Sequence, residues 1–365
     1  MQLSISLLEI TRAIDSWLNS AFHPHVAYGI ELVLAGVAVI LLVVAMAILM
    51  VYAERKLAGF MQMRLGPMRV GKWGSMQAVA DVMKLLLKEC LVPTNSDKLM
   101  FRVAPFVVTI VSFMTLVPIA FAKGIQLWDI NIGVFYITAV SSLSVIGILM
   151  AGWSSNNKYS LLGAMRSGAQ IVSYELSGGL ALIVVVMMSG TLSISGIVQA
   201  QADGWWVIKG HIPVIIAFVT FIITSTAELN RAPFDLAEAE SELTAGYHTE
   251  YSGMQFAMFF LSEYTNMFVL SMVAATVFLG GWMPFHLAGL DGLNHFMDYI
   301  PGIVWFFGKT FFILFLIVWF RWTFPRLRID QLLKLEWKYL LPVSIINVLF
   351  AAFIADGMVS VNDGG

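Results

Sequence analysis

Long apolar runs separated by shorter polar stretches dominate the chain, and their length predicts helices. Eight runs, at about 26–53, 103–122, 134–153, 168–190, 211–228, 254–281, 303–322 and 340–356, can cross a bilayer. A hydrocarbon core ~30 Å thick takes ~20 residues of helix. A further stretch, about 74–89, is helical in pattern but amphipathic. Met76, Val79, Met83 and Leu86 recur at helical spacing, while Gln77, Asp81, Lys84 and Lys88 fall on the other side. Such a helix lies in the membrane interface. The pattern therefore predicts an all-α integral membrane protein: one membrane domain over 1–365, about eight transmembrane helices and a cytoplasmic interfacial amphipathic helix. No run reads as a strand, and neither an internal repeat nor a removable signal peptide is visible.

Composition agrees with a lipid environment. Hydrophobic residues make up 59% and charged residues 12% of the chain, against about 25% charged in ordinary globular domains. Mean hydropathy is +0.83. Lys and Arg set the orientation, because cytoplasmic loops collect them. One set of loops holds 17, the other only Arg12, Lys123 and Lys209, with Lys309 near the start of the seventh run left out of the count. Both termini are expected outside, and the long loops in the cytoplasm.

A redox centre is not expected in this chain. The single Cys90 cannot ligate an iron–sulfur cluster, which normally takes four thiolates. His23, His25, His211, His248, His286 and His295 fall outside or at the ends of the apolar runs, away from facing haem-ligand positions. No metal site is expected either.

Carboxylates inside apolar runs carry the sharper signal. Glu175 lies in the fourth run and Glu263 in the sixth, each about nine residues, or ~13 Å, from the cytoplasmic boundary, and Glu228 closes the fifth. An ionised side chain at mid-membrane costs at least ~2.5–3.5 kcal/mol, so such residues face a bundle interior or water and often mark proton paths. The plainer reading makes each a structural carboxylate bonded to a neighbour such as Tyr174 or Tyr264. Three on consecutive helices favour a hydrated path. Glu31, near the outer end of the first run, reads as snorkelling or capped. After Glu228, Pro233 breaks the helix, and Asp235, Glu238, Glu240 and Glu242 follow closely. On a helix Asp235, Glu238 and Glu242 would share a face and raise one another's pKa. In the basic loop, Arg64-Leu65-Gly66-Pro67 reads as a turn that aims a side chain at a soluble partner or a polar headgroup.

Four segments carry a family resemblance: AERKLAGFMQMRLGPMRVGKWGSMQAVADVMKLLLKE, WSSNNKYSLLGAMRSGAQIVSYE, AELNRAPFDLAEAESELTAGYHTEYSGMQFAMFFLSEYTNM and FFGKTFFILFLIVWFRWTFPRLRIDQLLKLEWKYLLP. From about Tyr52 to Pro342 the chain resembles the H-subunit family of the proton-pumping NADH:quinone oxidoreductase, respiratory complex I. The resemblance implies an eight-helix membrane subunit beside the hydrophilic arm, forming much of the quinone chamber. It implies a polar path through Glu175, Glu228 and Glu263. It also implies that Glu54, Asp235, Glu238, Glu240 and Glu242, with Arg55, Arg64 and Arg231, line or flank the chamber. Quinone is then the substrate, FMN and iron–sulfur clusters belong to partner subunits, and the other partners are small membrane subunits and antiporter-like subunits in a bacterial plasma membrane. Related subunits of energy-converting hydrogenases and ferredoxin-dependent complexes share much of this pattern. A stand-alone proton-coupled transporter would instead show inverted repeats or broken helices at the midplane. The purified chain is expected to bind no haem, flavin or metal, and a stoichiometric optical or metal signal would contradict this reading.

Overall fold

The computed structural model describes residue 13 and residues 15–202, 204–236, 242, 244–286 and 291–362, with backbone alone for 291, 293 and 355–362. It is all-helical apart from one small ribbon. The principal helices are α1 (Pro24–Met61), α2 (Gln77–Leu87), α3 (Lys98–Met114), α4 (Gly133–Ser154), α5 (Lys158–Ser189), α6 (His211–Glu228), α7 (Gly253–Phe278), α8 (Gly302–Thr323), α9 (Ile329–Leu335) and α10 (Leu341–Asn362). A π-helical turn, Glu336–Leu340, joins α9 to α10. Among the described residues seven helical spans, α9 and α10 counting as one, are long and apolar enough to cross a membrane.

Helix ends follow from local chemistry. Pro24 opens α1, where its missing amide costs nothing. Asp97 caps α3 by accepting from the amides of Leu99 and Met100, and Asn157 caps α5 by accepting from that of Tyr159. Gly190 ends α5 at φ 70°, a left-handed conformation that suits glycine. Hydropathy places the start of the fourth run at 168, yet α5 begins at Lys158. Its first turns carry Lys158, Ser160 and Arg166, which are helical without being apolar.

The run 103–122 is helical only as far as Met114, giving α3 17 residues, or ~26 Å at 1.5 Å per residue. Pro118 explains the stop, because it lacks an amide and disfavours helix at Val117. The chain then forms an antiparallel ribbon of Ala120–Ala122 with Ile125–Gln126, turned at Gly124 with φ 79°. This ribbon corrects the expectation that no strand would form.

Close helix approach depends on small residues, as expected where lipid weakens any hydrophobic drive between helices. α5 packs against α4, α6 and α10, and α7 packs against α3, α8 and α1. A Cβ at Gly152 of α4 would lie 2.3 Å from that of Ala164 in α5. One at Gly163 would lie 2.8 Å from the Gly246 backbone. α1 is the least enclosed span, with Leu32, Val33 and Leu41 exposed, a surface suited to lipid or to a membrane partner. Lys309 lies near the start of α8, as its place in the seventh run implies. It is buried in α8, and its Nζ donates to the carbonyls of Leu279, Gly281 and Met283 at 2.6, 2.9 and 2.6 Å. It thus caps the chain leaving α7, an arrangement the C-terminal dipole favours.

The segment before α7 is held by aromatic packing. Buried His248 lies 4.6, 5.5 and 6.2 Å, centroid to centroid, from Tyr247, Phe256 and Phe260. Burial pushes its imidazole from 6.5 down to about 4, against an opposing pull from Asp235. The unfolded chain therefore binds the extra proton first, so stability is lost as pH falls through 6.5 toward 4. The loss is at most roughly 3 kcal/mol. Thermal unfolding in detergent should show His248→Phe losing less stability between neutral and acid pH than the parent does.

Candidate functional site

The loop after α6 positions the first group of site residues. Gln170 of α5 donates from Nε2 to the carbonyls of Ala227 and Phe234 at 2.7 and 2.8 Å, clamping both ends of the turn. Asn230, at φ 49°, donates to Ser167 Oγ at 3.1 Å. Arg231 is thereby held in the interior. Its Nη1 donates to Glu54 Oε1 at 3.0 Å, its Nη2 lies 3.5 Å from Glu263 Oε2, and its guanidinium stacks 4.9 Å from the Tyr264 ring centroid. Glu54 also accepts from Tyr264 Oη at 2.8 Å and pairs with Arg321 of α8. Burial alone would lower the Arg231 pKa, but Glu263 and Glu54 outweigh it and hold the guanidinium well above its ordinary range. Two carboxylates and two guanidiniums from α1, α7, α8 and the loop thus meet in one balanced cluster.

A second group lies deeper in the bundle. Glu175 of α5 accepts a hydrogen bond from Ser142 of α4. Glu175 and Glu228 both line a cavity of about 40 Å³, together with Thr115, Ser141, Ser144 and Asn266. The rest of the wall is aliphatic, from Ile137, Ile171, Leu229, Val269 and Leu270, and the space is enough for a few waters beside the polar groups. Tyr174 Oη donates to the Leu332 carbonyl at 3.0 Å, and Tyr264 Oη donates to Glu54. Along the helix, Glu175 is 17 residues, about 26 Å, from the first residue Lys158, because polar turns precede the apolar part of α5.

The two groups are linked by α7. Glu263 and Asn266 are three residues apart, on one helical face, so the wall of the cavity continues into the Arg231 cluster. The three expected path residues are therefore divided: Glu175 and Glu228 share the cavity, and Glu263 sits with Arg231 and Glu54.

The remaining expected chamber residues lie on separate contacts. Arg55 pairs with Asp81 at 2.5 Å, joining α1 to α2. Arg64 is exposed and its Nε donates to Gln62 Oε1 at 2.6 Å. The amphipathic helix turns Gln77, Ala78 and Asp81 inward and leaves Met76, Met83 and Leu86 exposed. Glu242 pairs with Arg166 at 2.8 Å, and this hydrogen bond, with more distant Arg326 and Arg328, lowers its pKa. That corrects the expectation of mutually raised acids for Glu242, because a nearby guanidinium outweighs like-charge repulsion. Asp235 acts on His248. Glu238 and Glu240 lie outside the described residues.

Several residues of the site escape a reading of the sequence. Arg321 counts there only as a cytoplasmic charge, and Ser142 is one hydroxyl in an apolar run. Glu336 is 1% exposed, yet the last apolar run begins only at 340 and so excludes it. Testing polar residues just before a run for helical continuity would have found it.

The profile of the NADH dehydrogenase family matches residues 34–352. Among relatives, the H subunit of the NADH-quinone oxidoreductase of a Bacteroides fragilis strain is 57% identical over 345 residues, covering 94% of this chain and 96% of the relative. The corresponding H subunit of Bacteroides thetaiotaomicron is 56% identical over 343 residues, covering 94% and 96%. That of Rickettsia felis is 47% identical over 339 residues, covering 92% and 97%. With a match along nearly its whole length, on a helical bundle holding the acidic and basic residues described above, the chain belongs to the NADH dehydrogenase family.

Proposed function

We propose that this chain is the membrane-embedded H subunit of a bacterial NADH–quinone oxidoreductase, contributing to the quinone chamber and beginning the proton path that quinone reduction drives. The observation that carries the reading is the shared cavity of Glu175 and Glu228, continued along α7 by Asn266 and Glu263 to the Arg231–Glu54 cluster. Proton movement needs carboxyl groups that can change charge and polar space between them. Two carboxyls face the cavity, and Thr115, Ser141, Ser144 and Asn266 place polar groups along its otherwise aliphatic wall. Electron carriers belong to partner subunits, and a quinone reaching the cytoplasmic loops would sit beside a cluster whose charges answer to its reduction. Hydrophilic subunits would dock on those loops, and small membrane and antiporter-like subunits beside the bundle, with both termini in the periplasm. The names of the relatives favour an NADH-linked complex over a hydrogenase or ferredoxin-linked one.

Glu175→Gln tests the reading, since glutamine keeps the size and the acceptor for Ser142 but removes the titration. In the assembled enzyme this variant should lose most quinone-linked NADH oxidation and proton pumping. NADH oxidation by an artificial acceptor that bypasses quinone should survive. Glu31→Gln, at the outer end of α1, is the control and should pump as the parent does. Normal pumping by an assembled Glu175→Gln enzyme would make the carboxylate structural; if assembly fails, Glu263→Gln replaces it in the same assay.

A further inference from the structure

One buried acid is used by neither group above. Glu336 opens the π-helical turn between α9 and α10, and its side chain points inward while Trp337, Lys338 and Tyr339 are exposed. Such turns insert an extra residue into a helix and often mark functional positions. Glu336 is 1% exposed. Ser177 of α5 donates to its Oε1, and Oε2 accepts no hydrogen bond from the protein. No cation pairs with it among the described residues, since Lys334 and Lys338 on its own segment are exposed. From α5 the titratable group facing it is Tyr174, whose hydroxyl is bonded to the Leu332 carbonyl. The described side chains of α10 offer no titratable group.

This placement differs from that of a structural carboxylate. Glu54, also buried, has two guanidiniums and a phenol. A buried charge without a partner costs several kcal/mol, and apolar packing would serve stability better at Glu336. The next residue along α5 points to its use. A Cβ at Gly178 would lie 3.6 Å from Thr224 Cβ and 3.8 Å from Glu228 Oε1. The Ser177–Gly178 step therefore carries Glu336 at one residue and Glu228 at the next.

We infer that Glu336 is a further proton-exchanging carboxyl, joined to the Glu175–Glu228 cavity across the Ser177–Gly178 step of α5. The inference rests on the proton-path reading and extends it toward the last helix. In each exchange an O–H bond forms at Oε2 as one breaks on the donor, the Glu228 carboxyl through a hydroxyl or water, and the return step reverses this. Ser177 can donate to Oε1 in both states, so the site need not rearrange.

Infrared difference spectra of the assembled complex in membranes, NADH-reduced minus oxidised, test this. A carboxyl C=O band that changes on reduction should be lost in Glu336→Gln. In Ser177→Ala the same band should move to higher frequency, because its carbonyl loses a donor. Spectra matching the parent in both variants would overturn the inference. If Glu336→Gln fails to assemble, Ser177→Ala decides alone: a shifted band supports the exchange and an unshifted one ends it. Loss of quinone-linked turnover in Glu175→Gln alongside parental spectra in both variants would defeat Glu336 while leaving the proton path standing. Retained turnover in an assembled Glu175→Gln enzyme would instead defeat the path reading itself.

Discussion

The ionic cluster around Glu54 and Arg231 is the constraint on which the rest of the site depends. Its members come from α1, the loop after α6, α7 and α8, so the cluster forms only when all four are in place. Each charge withdrawn from water costs several kcal/mol, and the attraction repays it only while every partner is present. The cluster is thus weak as a source of net stability and strong as a determinant of geometry. It fixes α1, whose outer surface is otherwise little enclosed, against α7 and α8.

Charge balance separates two kinds of carboxylate in this bundle. Glu54 and Glu263 face the guanidinium of Arg231, and Glu54 that of Arg321 as well. Glu175 meets a serine hydroxyl and lines a small cavity, and among the described residues no cation pairs with it. The first kind suits a fixed field, the second a group that exchanges protons. Glu263 and Asn266, three residues apart on α7, bring the two kinds side by side, so a change of charge in one alters the field at the other. Interactions between charges weaken little in a medium that excludes water and salt.

Much of this was legible in the chain itself. Run length gave the helices, and an acid inside an apolar run is costly enough to be informative alone. Glu175, Glu228 and Glu263 stand out in that way, and Glu54 and Arg231 by family resemblance. Pairing was not legible, because it depends on which helix faces which. Arg321 joins Glu54 across 267 positions of sequence. Polar but helical segments were also missed: α5 starts at Lys158, and the span holding Glu336 starts at Ile329, since hydropathy detects contact with lipid rather than helix. The early end of α3 was written in Pro118, which a hydropathy window averages away.

The partners of each acid, rather than the number of acids, set what a buried carboxyl can do in such a bundle. A continuous file of ionised carboxylates would repel itself and attract counterions, whereas hydroxyl-bonded carboxyls around small cavities can hold charge one site at a time. Ser142 at Glu175 and Ser177 at Glu336 fit that scheme: each hydroxyl donates to the carboxyl while leaving its second oxygen uncommitted by that bond. Small residues serve the same end, since Gly178 lets Thr224 and Glu228 approach α5 more closely than a larger side chain would allow. Tight packing and polar contact are thus not opposed in this fold, because the glycine that brings two helices together also brings their polar groups within reach.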